Sequence, residues 1–263
     1  MIKDHSARQV TQQAALQAAR NAPLESIPAL LSSANQEILD ALIENPGLNE
    51  THICVLLERK DLSGSLLEEI AKRKTWKGSY RVRRALAAHP HTPRLIATRL
   101  LRGLHLMDVV RISLLPASSG ELRRLAEERV LAQLPQLPLG QRLMLAKRGS
   151  SRIAAGLFGQ GPEQVVRAAL DNAFLTESHL LKTLANRDLP ARSLACVARH
   201  RKWANLMNIR VALLRHPHGP LEFLAAFVPD LPRREIDDLL GHSRLSEGVR
   251  AHLRHELERR AKK

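Results

Sequence analysis

Aromatic residues are scarce in this chain: two Trp, one Tyr and four Phe among 263 residues. Its core must therefore be aliphatic, and a platform of several rings for stacking bases is not to be expected. Cysteine is nearly absent as well. Cys54 and Cys196 lack CxxC spacing and fall in helix-like segments, so they are expected to be small buried hydrophobes in a reducing compartment. No run of about 18 apolar residues occurs, which argues against a spanning helix. The opening MIKDHSARQVTQQAALQAAR lacks the apolar stretch and cleavage site of a secretory signal. The expectation is a soluble cytoplasmic protein with no membrane insertion. Acidic charge is the last deficit, with 26 Asp and Glu against 41 Lys and Arg, a formal charge of +15. That excess calls for an acidic partner, whether nucleic acid, an anionic surface or an acidic protein.

What the chain does have is Leu, Ala and repetition. Leu and Ala are good helix formers. Apolar residues recur at three- and four-residue spacing in segments of about ten to fourteen residues closed by Pro, Gly or Asn. No period-two run competes, so the pattern predicts an all-α protein. Residues 76–93, WKGSYRVRRALAAHPHTP, and 203–220, WANLMNIRVALLRHPHGP, align without gaps at an offset of 127. Eight of the eighteen positions are identical, Trp76/Trp203, Arg83/Arg210 and His89/His216 among them. Self-similarity at fixed spacing marks a repeat architecture, in which each unit buries its apolar face against its neighbours.

The residue before each helix-ending proline gives a set of marks at Asn45, His89, Leu134, Asn172 and His216, with Ala173 in place of the proline in the fourth. Their spacings are 44, 45, 38 and 44 residues. The expected architecture is a right-handed α-solenoid, a HEAT- or armadillo-like superhelix of about five two- to three-helix repeats over residues 21–243. A polar helix or leader at 1–20 precedes it, and a basic capping helix at 244–263 closes it. Asn49, Thr176, Thr92 with Pro93, Pro138 and Pro220 are the expected helix starts. In GLFGQGP, Gly159 and Gly161 are the expected left-handed helix stop.

Candidate chemistry is sparse. The HPH turns at 89–91 and 216–218 lie three marks apart and are expected to cap helix ends instead of holding a metal; His252 and His255 make a weaker pair still. No GK[ST] follows the glycines at 156–161 to make a phosphate loop, and Asp237 and Asp238 diverge on one helix. No catalytic residues and no cofactor are therefore expected, and the chain is not read as an enzyme. Arg83, Arg84, Arg167 and Arg210 fall at nearly the same place in successive units, a candidate basic ladder on the concave face; the competing role is to bridge one repeat to the next. A second basic-aromatic feature precedes each tryptophan: Lys72, Arg73 and Lys74 before Trp76, and Arg199, Arg201 and Lys202 before Trp203. Packing between units is the expected role of the two rings.

VRRALAAHPHTPRLIATRLL and IRVALLRHPHGPLEFLAAF resemble the bacterial leucine-rich repeat variant and related HEAT-like, armadillo-type helical repeats, whose units carry a VRxAxAxNPxTPxxLL pattern. The likeness extends in degenerate form over residues 35–240. It departs from the variant family in period, about 44 residues against about 24, and in lacking that family's cysteine-rich iron–sulfur segment. The resemblance implies a solenoid and a non-catalytic scaffold that binds another protein or an acidic peptide. The alternative is a basic solenoid that grips the phosphate backbone of nucleic acid without reading sequence.

Overall fold

The computed structural model describes residues 12–159, 161–219, 221–241 and 245–262, all helix and connecting turn with no strand among them. Its contacts divide the chain into two units, Met1–Ala126 and Glu127–Lys263. The first holds α1 (residues 12–20), α2 (Ile27–Leu31), α3 (Gln36–Leu42), α4 (Glu50–Leu56), α5 (Gly64–Lys72), the one-turn α6 (Lys74–Lys77), α7 (Tyr80–Ala88), α8 (Arg94–Leu101) and α9 (Leu106–Leu114). The division falls inside α10 (Gly120–Gln133). The second unit continues with α11 (Leu139–Arg148), α12 (Ser151–Gly156), α13 (Glu163–Leu170), α14 (Glu177–Leu184), α15 (Ala191–Arg199), α16 (Met207–Arg215), the short α17 (Leu224–Phe227), α18 (Arg233–Leu240) and α19 (Glu247–Ala261).

The offset of 127 governs far more than the two tryptophan segments. The pairs α3/α13, α4/α14, α5/α15, α7/α16, α9/α18 and α10/α19 each begin 127 residues apart, and the 3-10 turn at Leu221–Phe223 begins 127 after α8. Capping follows the same rule. The Asn49 side chain accepts from the His52 N–H to open α4, and Thr176 accepts from the His179 N–H to open α14. Ser119 and Ser246 do the same for α10 and α19. Caps of this kind satisfy backbone donors that a helix's first turn leaves open. The chain is thus two copies of one helical succession with no net insertion between them.

Helices alternate between two rows. In the second unit α11 packs on α13 and α13 on α15, while α12 packs on α14, α14 on α16 and α16 on α18. In the first unit α2 packs on α4, α4 on α7 and α7 on α9. Helix pairs therefore succeed one another from α3, α5 and α8 at residues 36, 64 and 94, much closer together than the proline marks suggest. Those marks end helices of both rows, since Asn172 follows α13 and His216 follows α16. The 44-residue register confuses the two rows, and a two-helix pair is the smaller unit. Between the two rows the apolar stripes meet: Leu66, Leu67 and Ile70 of α5 are fully buried with Ile53, Leu56 and Val82 of α4 and α7, and Ile236, Leu239 and Leu253 close the second unit's end. Burying each such side chain contributes about 1.5–3 kcal/mol.

Buried polar side chains close the turns after α3, α7, α13 and α16. Asn45 Nδ2 donates to the carbonyls of Ala19 and Ala22, at 3.1 and 3.0 Å, and Oδ1 accepts from the Gly47 N–H. Asn172, 127 residues on, donates to Ala146 and Gly149 and accepts from Phe174. His89 and His216 form the second pair. His89 Nε2 donates to the Arg59 carbonyl at 2.7 Å and Nδ1 accepts from the His91 N–H; His216 bonds in the same way to Asn186 and His218. Since a carbonyl can only accept, His89 and His216 are neutral rings protonated at Nε2. Helix capping by the HPH turns is therefore extended: each first histidine ties its own turn to the pair before it. The third mark, Leu134, is apolar and makes no such link.

Three expectations need correction or fall outside the described residues. Thr92 does not cap α8; its hydroxyl donates backward to the Leu86 carbonyl at 2.7 Å, closing α7. Gly161 is no left-handed stop, because no described glycine has positive φ. A Cβ there would lie 2.8 Å from Val165 Cβ, so close approach is what selects glycine. Pro220, residues 1–11 of the expected leader and the 242–244 segment lie outside the described residues. The charged closing helix is present as α19. It buries Val249, Leu253 and Glu256, and Arg260 links the Glu256 carboxylate to the carbonyls of Leu231, Val228 and Pro229.

Two measurements test this account. Burial pushes the His89 imidazole below its usual range, against a weaker pull from the Arg59 carbonyl. The unfolded ring protonates near pH 6.5, so stability is complete above that pH and falls as the pH drops from about 6.5 toward the lower native value. His89→Ala should cost about 1–3 kcal/mol in urea unfolding at neutral pH. His89→Asn, which keeps an acceptor for the His91 N–H, should cost less, and both should flatten the decline between about pH 7 and 5. Hydrogen bonds from Arg259 and Arg260 hold the Glu256 carboxyl down to about 2. Its contribution is present above the unfolded value of about 4.3 and is lost as the pH falls through about 2. Glu256→Gln should accordingly lower Tm at pH 7, with the deficit vanishing at the acid end of a pH series.

Candidate binding grooves

Packing α4, α7 and α9 side by side leaves a groove between them of 340 Å³. Cys54 of α4 and Leu57 just after it, Ala85 and Ala88 of α7, and Ile112 of α9 make its apolar floor. Arg81, Arg84 and Arg111 stand around it with Glu58 and Asp108. Asp108 is the anchor: it accepts from the Tyr80 hydroxyl and lies 3.8 Å from Arg84 and 3.7 Å from Arg111. Arg81 lies 3.8 Å from Glu50. The guanidinium groups of Arg81, Arg84 and Arg111 are exposed, whereas Asp108 is 14% exposed, and ion pairs as long as these three hold little energy.

A second groove, of 590 Å³, lies between α14, α16 and α18 in the other unit. Its lining corresponds to the first at an offset of 127: Leu181 for Cys54, Leu184 for Leu57, Ala212 for Ala85, Arg215 for Ala88 and Glu235 for Asp108. Arg187 and Arg215 are its cations, and Asp238 stands where the first groove has Arg111. A further cleft of 600 Å³ on the other side of α14 carries Arg152 and Lys182. The row α12, α14, α16 and α18 thus presents consecutive clefts with apolar floors and basic edges.

No family model, curated protein or solved structure matches the chain. The functional reading therefore rests on the geometry of its own residues.

The four ladder arginines occupy dissimilar places. Arg84 faces the first groove. Arg83, its neighbour in sequence, turns to the other side of α7, where its guanidinium lies 5.7 Å from the Tyr80 ring centroid. Arg167 is on α13, in the opposite row from α16, exposed and paired with Glu163. Arg210 is sequestered: Nε donates to the Ala204 carbonyl at 2.6 Å, Nη1 to Asp230 at 2.7 Å, and the side chain is 14% exposed over Phe227. Within each unit these side chains do not form a line; Arg210 and Arg167 are tied to their own copy.

The basic-aromatic residues are also occupied by structure. Trp76 and Trp203 are buried, at 7% and 2% exposure, so neither ring presents a face to a base. Trp203 Nε1 donates to the Leu170 carbonyl, and the Lys202 ammonium lies 4.0 Å from its ring centroid. Lys72 pairs with Glu68 and Glu69, and Arg199 with Glu222. Arg73 Nε is buried without a partner, and Lys74 and Arg201 are exposed. Sequence reasoning missed Arg81, Arg111, Arg187 and Arg215; the 127 offset pairs them with Asn208, Asp238, Lys60 and Ala88, so a repeated cation marks Arg187 alone.

Burial pushes the Cys54 thiol up, and the thiolate is the reactive form. Native Cys54 should therefore alkylate more slowly than the same thiol in urea. Cys54→Leu, which installs the residue found at 181, should move stability by less than about 1.5 kcal/mol, because the added methyl groups enter the groove.

Proposed function

We propose that the chain is a non-catalytic helical-repeat scaffold, an α-solenoid that binds acidic segments of another protein, one in the groove of α4, α7 and α9 and one in its counterpart at α14, α16 and α18. The observation that carries this reading is the groove with an apolar floor that recurs at corresponding positions in both copies, rimmed in the first by Arg81, Arg84 and Arg111 with Glu58 and Asp108, and in the second by Arg187 and Arg215 with Glu235 and Asp238. An apolar floor suits the buried face of an amphipathic segment, and the rim suits its acidic flank. Buried tryptophans and the absence of Phe, Tyr and Trp from the lining of both grooves weigh against base stacking. The succession of two-helix pairs, with pair starts at residues 36, 64 and 94, narrows the difference in period from the leucine-rich repeat variant without closing it. No helix among the described residues is long and apolar enough to cross a membrane.

Fluorescence anisotropy against two probes, a helical peptide with an apolar face and an acidic flank and a duplex DNA of random sequence, separates the readings. At about 150 mM salt the peptide should bind and the DNA should not. The triple reversal Arg81→Glu, Arg84→Glu and Arg111→Glu should weaken peptide binding by about tenfold or more, with circular dichroism confirming that the chain stays folded. Affinity for DNA falls as roughly the 0.9Z power of salt for Z phosphate contacts. Sub-micromolar DNA binding that persists at this salt and disappears in the triple variant would replace the scaffold reading with the nucleic-acid one.

A further inference from the structure

The two copies differ most tellingly around one arginine. In the second, Arg210 is satisfied from within: the Asp230 carboxylate accepts from its guanidinium, and Phe227 lies beneath it at 5.4 Å. At the corresponding positions of the first copy stand Arg83, Gly103 and Leu100. The carboxylate is gone and an aliphatic leucine stands in place of the aromatic ring. In their place is a cavity of 280 Å³ lined by Ile70, Trp76, Arg83, Leu86, Leu100 and Gly103. Lys77 and Arg99 also line it, and no carboxylate does.

The cavity is shaped for an anion with an apolar stem. Arg83 makes no ion pair among the described residues. It is held in place by a 3.4 Å bond from Nε to the Ser79 carbonyl and by the Tyr80 ring. Position 103 faces it directly, since a Cβ built on Gly103 would lie 3.2 Å from Arg83 Nη1. The Trp76 indole N–H is buried without a partner, whereas Trp203 has the Leu170 carbonyl. Unpaired buried donors are uncommon in folded proteins. A guanidinium over apolar walls, flanked by two more cations and lacking the acid its twin possesses, is complementary to a carboxylate.

We propose that this cavity receives an acidic side chain carried on an apolar turn of a partner protein, which supplies from outside the carboxylate that Asp230 supplies from within the second copy. The proposal rests on the scaffold reading for the nature of the partner, but its site is on the face of α7 away from the groove. The second copy's own segment Leu224–Leu231, LAAFVPDL, is the template for the occupant, with an aromatic ring and an acid three residues apart.

The probe is that segment as a blocked synthetic peptide, titrated into the full chain and followed by proton–nitrogen correlation spectra, with the Trp76 indole signal assigned through Trp76→Phe. Saturable shifts should appear at the Trp76 indole and at residues 99–104, with a dissociation constant between about 1 μM and 1 mM. The peptide with Asn for Asp should bind at least about tenfold more weakly. Gly103→Asp, which restores the internal acid, should abolish the response and raise Tm, and the gain in Tm should vanish when Arg83→Gln is added. No saturation by about 1 mM, equal binding of the Asn peptide, or binding retained by Gly103→Asp would each overturn the proposal. The groove variant Arg81→Glu, Arg84→Glu, Arg111→Glu separates the two readings. Loss of groove-peptide binding in that variant with these shifts intact supports two separate sites; groove-peptide binding that survives the variant counts against the groove alone, and groove binding with no shifts in the unaltered chain counts against this receptor alone.

Discussion

The fold depends on a polar side chain buried at the end of a helix. A chain whose interior is Leu, Ala, Val and Ile has strong cohesion but little direction, because aliphatic contacts are not oriented. Asn45, His89, Asn172 and His216 supply orientation. Each accepts from the backbone two residues on, which fixes the turn, and each donates to carbonyls 23 to 30 residues back, which fixes where the preceding pair ends. Removing one such group would leave buried carbonyls without donors, a cost of about 1–3 kcal/mol per group. Four links of this kind set the register in which the apolar stripes meet.

The helical class was legible because a 3.6-residue period survives wherever one face is buried, whatever the identity of the apolar residue. The tryptophan segments were legible because identities cluster there. The rest of the doubling was not: it persists through scattered positions such as Leu48/Leu175, Glu50/Glu177 and His52/His179, too thinly spread to rise above chance in one sequence. The proline marks misled for a physical reason, since proline ends helices of either row equally well. The grooves were hidden because their lining preserves shape and not identity, with Cys54 matched by Leu181 and Arg111 by Asp238. Arg83 and Arg84 could be read as one ladder step only if their direction was ignored; adjacent helical residues point about 100° apart.

Each copy also serves as the control for the other. Where a side chain has the same partner in both, as at Asn45 and Asn172, the role belongs to the fold. Where the partners differ, as for Arg83 and Arg210, one copy has been released from a structural duty that the other still performs. That contrast separates what the two copies share from what differs, and it places two of the differences on α7: Arg84 toward the groove and Arg83 toward the cavity.

The ungapped spacing has a consequence during synthesis. A chain with the same turn chemistry at two places 127 residues apart is exposed to misassembly, because a nascent helix pair of the second copy could dock on the first, a characteristic failure of repeat proteins. The drift of the interior residues opposes this exchange. Phe158 stands where the first copy has Leu31. An exchanged pair would force a ring into a site shaped for leucine, and overpacking of that kind costs about 1–3 kcal/mol. Divergence of the two cores thus protects the order in which the chain comes together, while their common turns keep the backbone the same.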